Sequence, residues 1–298
     1  MRSVIAHVRE GNILVADGAM GTFLQQKGLE MGTCPELWCI DHPEEIKDIY
    51  RKYREAGSDM VECNSFGGSR YKLNQYGLGE RTAEINKAAA SLARDVAGDT
   101  QYVLATMGPT GDFMEPYGLE TEEGFYDAFK EQAQALEDGG ADSIIVETMT
   151  SIDEAAVAVR AAKENTNTTV IGSFSFDPEG DGRYASMMGV TPQDFAQRII
   201  RENPDVVGTN CGTGPDEMIE IVRQLREALP HTPLMAMPNA GIPEVENGTT
   251  VYKETPEEMA KKVPALAQAG ASIIGGCCGT TPEHIKAMKK AATDISST

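Results

Sequence analysis

The chain has 298 residues, 41% of them hydrophobic, and 26 basic against 46 acidic side chains for a formal net charge of −20. That charge repels phosphate backbones and anionic lipid, so neither nucleic acid nor a membrane surface is an expected partner. The first ten residues carry charges with no apolar stretch behind them, no membrane-length apolar run follows, and six cysteines are too sparse for a disulfide scaffold, which points to a cytoplasmic protein with reduced thiols.

Short apolar runs at residues 13–18, 59–66, 102–109, 143–148, 170–176, 206–211, 234–240 and 273–279 read as strands. Amphipathic segments alternate with them at 43–56, 80–97, 122–138, 152–164, 192–202, 216–228, 256–269 and 282–292. A doubly wound open sheet usually stops near six strands, so eight alternations predict a (β/α)8 TIM barrel as a single domain over residues 1–298. Thr191-Pro192, Thr255-Pro256 and Thr281-Pro282 each set a capping hydroxyl before a proline at a helix start. Gly57, Gly139-Gly140 and Gly270 fall where helices should end. Long irregular stretches at 67–79, 110–121, 177–189 and 241–254 follow the second, third, fifth and seventh strands, at the barrel end where active sites are built.

The strand ends carry Asp17, Glu62, Asn64, Thr106, Glu147, Ser175, Asn210, Cys211, Asn239 and Cys277-Cys278. Three thiols can hold a zinc ion and leave its fourth tetrahedral position open, as a catalytic zinc requires. Strands six and eight are both even-numbered, so Cys211 can approach Cys277 across the barrel mouth. Neighbouring strand residues point to opposite sides, so Cys277 and Cys278 share one ion only if the chain leaves strand conformation there, a freedom Gly275, Gly276 and Gly279 supply. These cysteines could instead be small buried hydrophobes, or the adjacent pair a vicinal disulfide. Asp17 and Glu147 could bind an ammonium group, and the backbone of Asp17-Gly18-Ala19-Met20-Gly21-Thr22 suits a small carboxylate. The four histidines lie away from the strand ends, which argues against a histidine base or ligand.

Together Asp17-Gly18-Ala19-Met20-Gly21-Thr22, Glu62-Cys63-Asn64-Ser65-Phe66, Val146-Glu147-Thr148, Asn210-Cys211-Gly212-Thr213-Gly214-Pro215, Met237-Pro238-Asn239-Ala240-Gly241 and Gly275-Gly276-Cys277-Cys278-Gly279-Thr280-Thr281-Pro282 run in order over nearly the whole chain. They resemble the homocysteine S-methyltransferase family, and most of all the homocysteine-binding barrel of cobalamin-dependent methionine synthase. The resemblance implies Cys211, Cys277 and Cys278 as ligands of one Zn2+ at the C-terminal ends of the strands, with the homocysteine thiol in the open position. It implies Asp17 and Glu147 on the amino group, the amides around Gly18 and Ala19 on the carboxylate, and Asn239 beside the metal. No folate or cobalamin segment follows the last helix, so either the methyl group is expected from methylcobalamin or another methyl-corrinoid on a separate corrinoid-binding protein, or the chain is an excised domain. The alternatives are a small donor used directly, S-methylmethionine or betaine, with Trp38, Tyr71 and Tyr76 as its aromatic cage, or a zinc-thiolate sensor.

Overall fold

The computed structural model describes residues 3–246 and 249–296. Its eight principal strands are β1 (Leu14–Val15), β2 (Met60–Glu62), β3 (Tyr102–Met107), β4 (Ser143–Met149), β5 (Thr169–Phe174), β6 (Val206–Asn210), β7 (Leu234–Met237) and β8 (Ala271–Ile274). They form one sheet in the order β1-β8-β7-β6-β5-β4-β3-β2, and each neighbouring pair is parallel. The seam between β1 and β2 is closed by single bonds: Asp59 N–H donates to Val15 O at 2.6 Å and Glu62 N–H to Asp17 Oδ2 at 2.8 Å. The nearly closed parallel barrel predicted from the alternation is present.

The outer helices are α1 (Pro43–Ala56), α2 (Thr82–Ala97), α3 (Glu122–Asp138), α4 (Ile152–Asn165), α5 (Pro192–Ile199), α6 (Pro215–Ala228), α7 (Pro256–Ala269) and α8 (Pro282–Ser296). Thr191 and Thr255 form full capping boxes with Asp194 and Glu258, which satisfies N–H groups that the first helical turn leaves orphaned. Apolar side chains sort by face. Leu14, Met60, Leu104, Ile145, Ile171, Val206, Met235 and Ile273 fill the barrel interior, while a larger cluster packs between strands and helices. Val4 and Val8, from a short N-terminal helix (Val4–Arg9), join the interior cluster.

The long loops after β5 and β7 each fold into an antiparallel hairpin, Asp177–Gly180 with Arg183–Ala185 and Glu244–Glu246 with Thr249–Val251. Sequence patterning left these as irregular stretches because their residues are largely exposed and carry no apolar alternation. Among the described residues, no helix is long and apolar enough to cross a membrane.

Candidate active site

Three cysteines converge where β6 and β8 end. β6 stops at Asn210, and the chain then enters left-handed conformation at Cys211 (φ 58°) and Gly212 (φ 72°). A non-glycine residue in that region costs of order 1–3 kcal/mol, so the surrounding bonds must hold it. They do: Cys211 N–H donates to Met237 O at 3.1 Å, and Cys211 O accepts Thr213 N–H at 2.7 Å. A Cβ at position 212 would stand 2.4 Å from Phe176 O, so only glycine fits the turn.

β8 ends at Ile274, and residues 275–279 leave strand geometry as the adjacent pair of cysteines requires. Cys277 N–H donates to Pro238 O at 2.8 Å, Cys278 O accepts Ala240 N–H at 2.9 Å, and Cys278 N–H donates to Asn239 Oδ1 at 3.1 Å. Thr280 Oγ1 donates to Cys277 O at 2.7 Å and accepts Ala19 N–H at 3.1 Å, so one hydroxyl joins the loop after β1 to the turn that carries the thiols.

The Sγ atoms of Cys211, Cys277 and Cys278 all lie within 4.8 Å of one another, and Cys211 Sγ is 3.8 Å from Cys278 Sγ. Zn–S bonds of about 2.3 Å in a tetrahedron put sulfurs about 3.8 Å apart, so the donor set fits zinc in both element and spacing. All six cysteines are free thiols, so the adjacent pair is not a vicinal disulfide. Without a cation the triad shares one negative charge. Donation from Cys211, then from Cys277, draws Cys278 down to about 3 against the opposing effect of burial. Cys277 is held well above the usual thiol range chiefly by its bond to Cys211; Cys211 is pulled down by Cys277, yet its bond to Cys278 and burial leave it at about 11. Removing the remaining two protons needs an added positive charge, which a divalent metal supplies.

Above the thiols lies a cavity of about 310 Å³ lined by Gly18, Ala19, Glu36, Glu62, Glu147, Thr148, Met237 and the three cysteines, among others. Gly18 and Ala19 both line the cavity, and the Ala19 amide is already bonded to Thr280. Glu147 lines the cavity and is fixed by Asn210 Nδ2, which donates to its Oε2 at 3.2 Å. Asp17 is not among the lining residues and is 1% exposed, with Oδ2 taken by the Glu62 amide and Oδ1 unpartnered. Burial raises Asp17 to about 7 and Glu147 to about 8, the latter also through the charges of Cys278 and Asp17. Asn239 is buried and outside the cavity lining, and its carbonyl oxygen holds the Cys278 amide.

Glu62, Glu36 and Tyr252 were given no role by sequence reasoning. Glu62 stood among the strand-end residues; Glu36 and Tyr252 sit in loops with no pattern to mark them. Glu36 lines the cavity, and the Tyr252 hydroxyl bonds Cys278. Trp38 packs on His42 with ring centroids 4.4 Å apart and Tyr71 on Phe125 at 5.2 Å, while Tyr76 is exposed. None of the three lines this cavity, so they do not form the aromatic cage.

A family model described as Homocysteine S-methyltransferase matches residues 14–292. The chain belongs to the homocysteine S-methyltransferase family. It is 32% identical over 301 aligned residues to the methionine synthase of Mycobacterium tuberculosis and 32% over 297 to that of Mycobacterium leprae, covering 95% and 94% of this chain. The chain spans about a quarter of the length of these relatives (25% and 24%). The metallated homocysteine methyltransferase MmuM from Escherichia coli shares the fold with a TM-score of 0.78 at 24% identity, covering 96% of this chain and 98% of that one. A methyltransferase from Methanosarcina mazei superposes at 0.63 with 11% identity over 98% of both chains.

These comparisons correct one expectation. A separate corrinoid-binding protein carrying methylcobalamin was expected. The E. coli homocysteine methyltransferase is a barrel of this same extent over 98% of its chain, so a barrel of this size is not by itself a reason to expect a corrinoid partner. The cavity over the thiols already offers room for small molecules.

Proposed function

We propose that this family member methylates the thiol of homocysteine to give methionine, taking the methyl group directly from a small onium donor such as S-methylmethionine or betaine, with zinc held by Cys211, Cys277 and Cys278. The observation that carries this reading is the thiol triad, spaced for one tetrahedral ion, beneath an acidic cavity. A bound zinc would lower the pKa of a substrate thiol, ordinarily near ~8.5, so that the sulfur is a nucleophile at neutral pH. Asp17 and Glu147 orient the acceptor through its amino group, and the backbone around Gly18 and Ala19 receives its carboxylate. The acceptor sulfur attacks the donor methyl carbon in line: a new S–C bond forms, the bond from methyl to the donor heteroatom breaks, and its electron pair neutralises the onium charge. The thiol proton goes to solvent. The match to methionine synthases supports homocysteine as the acceptor, and six free thiols support a reducing, cytoplasmic setting.

Purified, zinc-loaded protein given homocysteine and either S-methylmethionine or betaine is expected to form methionine, and Cys277→Ser protein is expected not to. Silence with both small donors, alongside turnover with methylcobalamin, would overturn the direct-donor reading.

A further inference from the structure

Two carboxylate oxygens at this site are buried with no hydrogen-bond partner: Asp17 Oδ1 and Glu62 Oε2. Glu62 and Glu147 line the same cavity, and the Glu62 backbone amide donates to Asp17 Oδ2 at 2.8 Å, which places the three carboxylates in one cluster. Among the described residues no lysine, arginine or histidine lines the cavity, so none of them provides a cation to face the carboxylates there. Among the described residues the only group with spacing for a metal is the thiol triad, so the carboxylates are not arranged around a second ion. What they lack is a cation that also donates hydrogen bonds. A quaternary ammonium brings charge without donors; a primary ammonium brings charge and three N–H groups.

We infer that Glu62 is the third receptor for the acceptor's α-ammonium: its three N–H donors go to Asp17, Glu62 and Glu147, one each, and Glu62 thereby selects an amino-acid thiol over a thiol without a primary amine. This rests on the reading of Asp17 and Glu147 given above and adds a specificity residue to it. The geometry is economical. Asp17 Oδ2 is already committed to the Glu62 backbone amide at 2.8 Å, and Glu147 Oε2 receives Asn210. The side chain of Glu62 has no such commitment within the protein. Burying an unpaired carboxylate is costly, and a ligand that pairs with it recovers that cost on binding.

The test is calorimetric binding of homocysteine and of 4-mercaptobutyrate, the same thiol acid without the amine, to zinc-loaded wild-type and Glu62→Gln protein with no methyl donor present. Loss of one charged hydrogen bond is expected to weaken homocysteine by about ten- to a hundredfold while 4-mercaptobutyrate changes by no more than about twofold. An equal loss for both thiols, or no loss for homocysteine, would overturn the assignment. Wild-type protein offers a second measurement that does not depend on the variant's folding: N-methylhomocysteine, with one N–H replaced, should bind about tenfold or more weakly than homocysteine; equal binding would overturn it. Because no donor is present, absent turnover would sink the direct-donor reaction and leave this assignment standing, whereas lost discrimination would sink the assignment alone.

Discussion

Asn210 donates from Nδ2 to Glu147 Oε2 at 3.2 Å, and the next residue in the chain is the thiol Cys211. The same amide also donates to Thr148 Oγ1 at 2.8 Å, while its oxygen accepts Thr148 N–H at 3.0 Å and Ser173 Oγ at 2.7 Å. One fully buried side chain therefore sets the rotamer of a carboxylate on β4 and anchors the strand end from which a thiol projects.

Asn210→Ala should act through that positioning. Removing the amide leaves buried partners unpaired, so stability is expected to fall by about 1–3 kcal/mol. The KM for homocysteine should rise about tenfold with a smaller change in kcat, since Asn210 orients Glu147 without facing the reacting atoms. An unchanged KM in a folded variant would refute this.

Loss of a thiol should remove the metal. Supporting residues around a metal site typically cost about 10–100-fold in affinity, so Cys211→Ser or Cys277→Ser is expected to exceed that range. Metal analysis after competition with a chelator measures it. Retention of one zinc per chain in both variants would show that the triad is not the zinc site.

Thr280→Val tests the hydroxyl that joins Ala19 to Cys277. The side chain is 1% exposed and the exchange keeps its shape, so the expected result is a folded protein with zinc affinity reduced about 10–100-fold. Affinity unchanged from wild type would mean that the backbone alone holds the turn.

The buried carboxyls predict a pH dependence of stability in the zinc-free, substrate-free protein. Burial raises Asp17 from 3.8 to about 7 and Glu147 from 4.5 to about 8. Folded chains then hold more protons than unfolded ones between those limits, so the stabilising contribution is complete at low pH and is lost as pH rises through about 7–8. The unfolding midpoint should decline across that window, and less steeply in Asp17→Asn. A midpoint that climbs with pH over the same range would contradict the assignment.

Phe174→Ala probes the outer core. Phe174 is fully buried and stacks on Phe195 with centroids 4.6 Å apart, so truncation should cost about 3–5 kcal/mol. Chemical denaturation would show it, and a loss under about 1 kcal/mol would mean that the cavity collapses around the missing ring.

The eight strands and helices were legible because apolar periodicity differs between a buried parallel strand and an amphipathic helix, and the Thr-Pro starts at 191 and 255 announced their capping boxes. The thiols could be identified from residue type and glycine setting. The functions of Asn239 and Asn210 could not: both stood among the polar strand ends, yet one holds the Cys278 amide and the other a carboxylate on β4. Glu62 had the same obscurity, since a glutamate at a strand end reads alike whether its oxygens are paired or orphaned.

Order along the chain was enough to establish the (β/α)8 alternation, because that depends on residue type and local spacing, and family resemblance marked the three thiols as candidate zinc ligands. Only the folded barrel brings Cys211 within 3.8 Å of Cys278 across 67 positions, since that distance follows from sheet closure and from two left-handed residues after β6. Tertiary packing likewise decided which carboxylate oxygens lack partners and that no basic side chain enters the cavity. Electrostatic need arises from what surrounds a group in space, and that neighbourhood is assembled from several strands and loops at once.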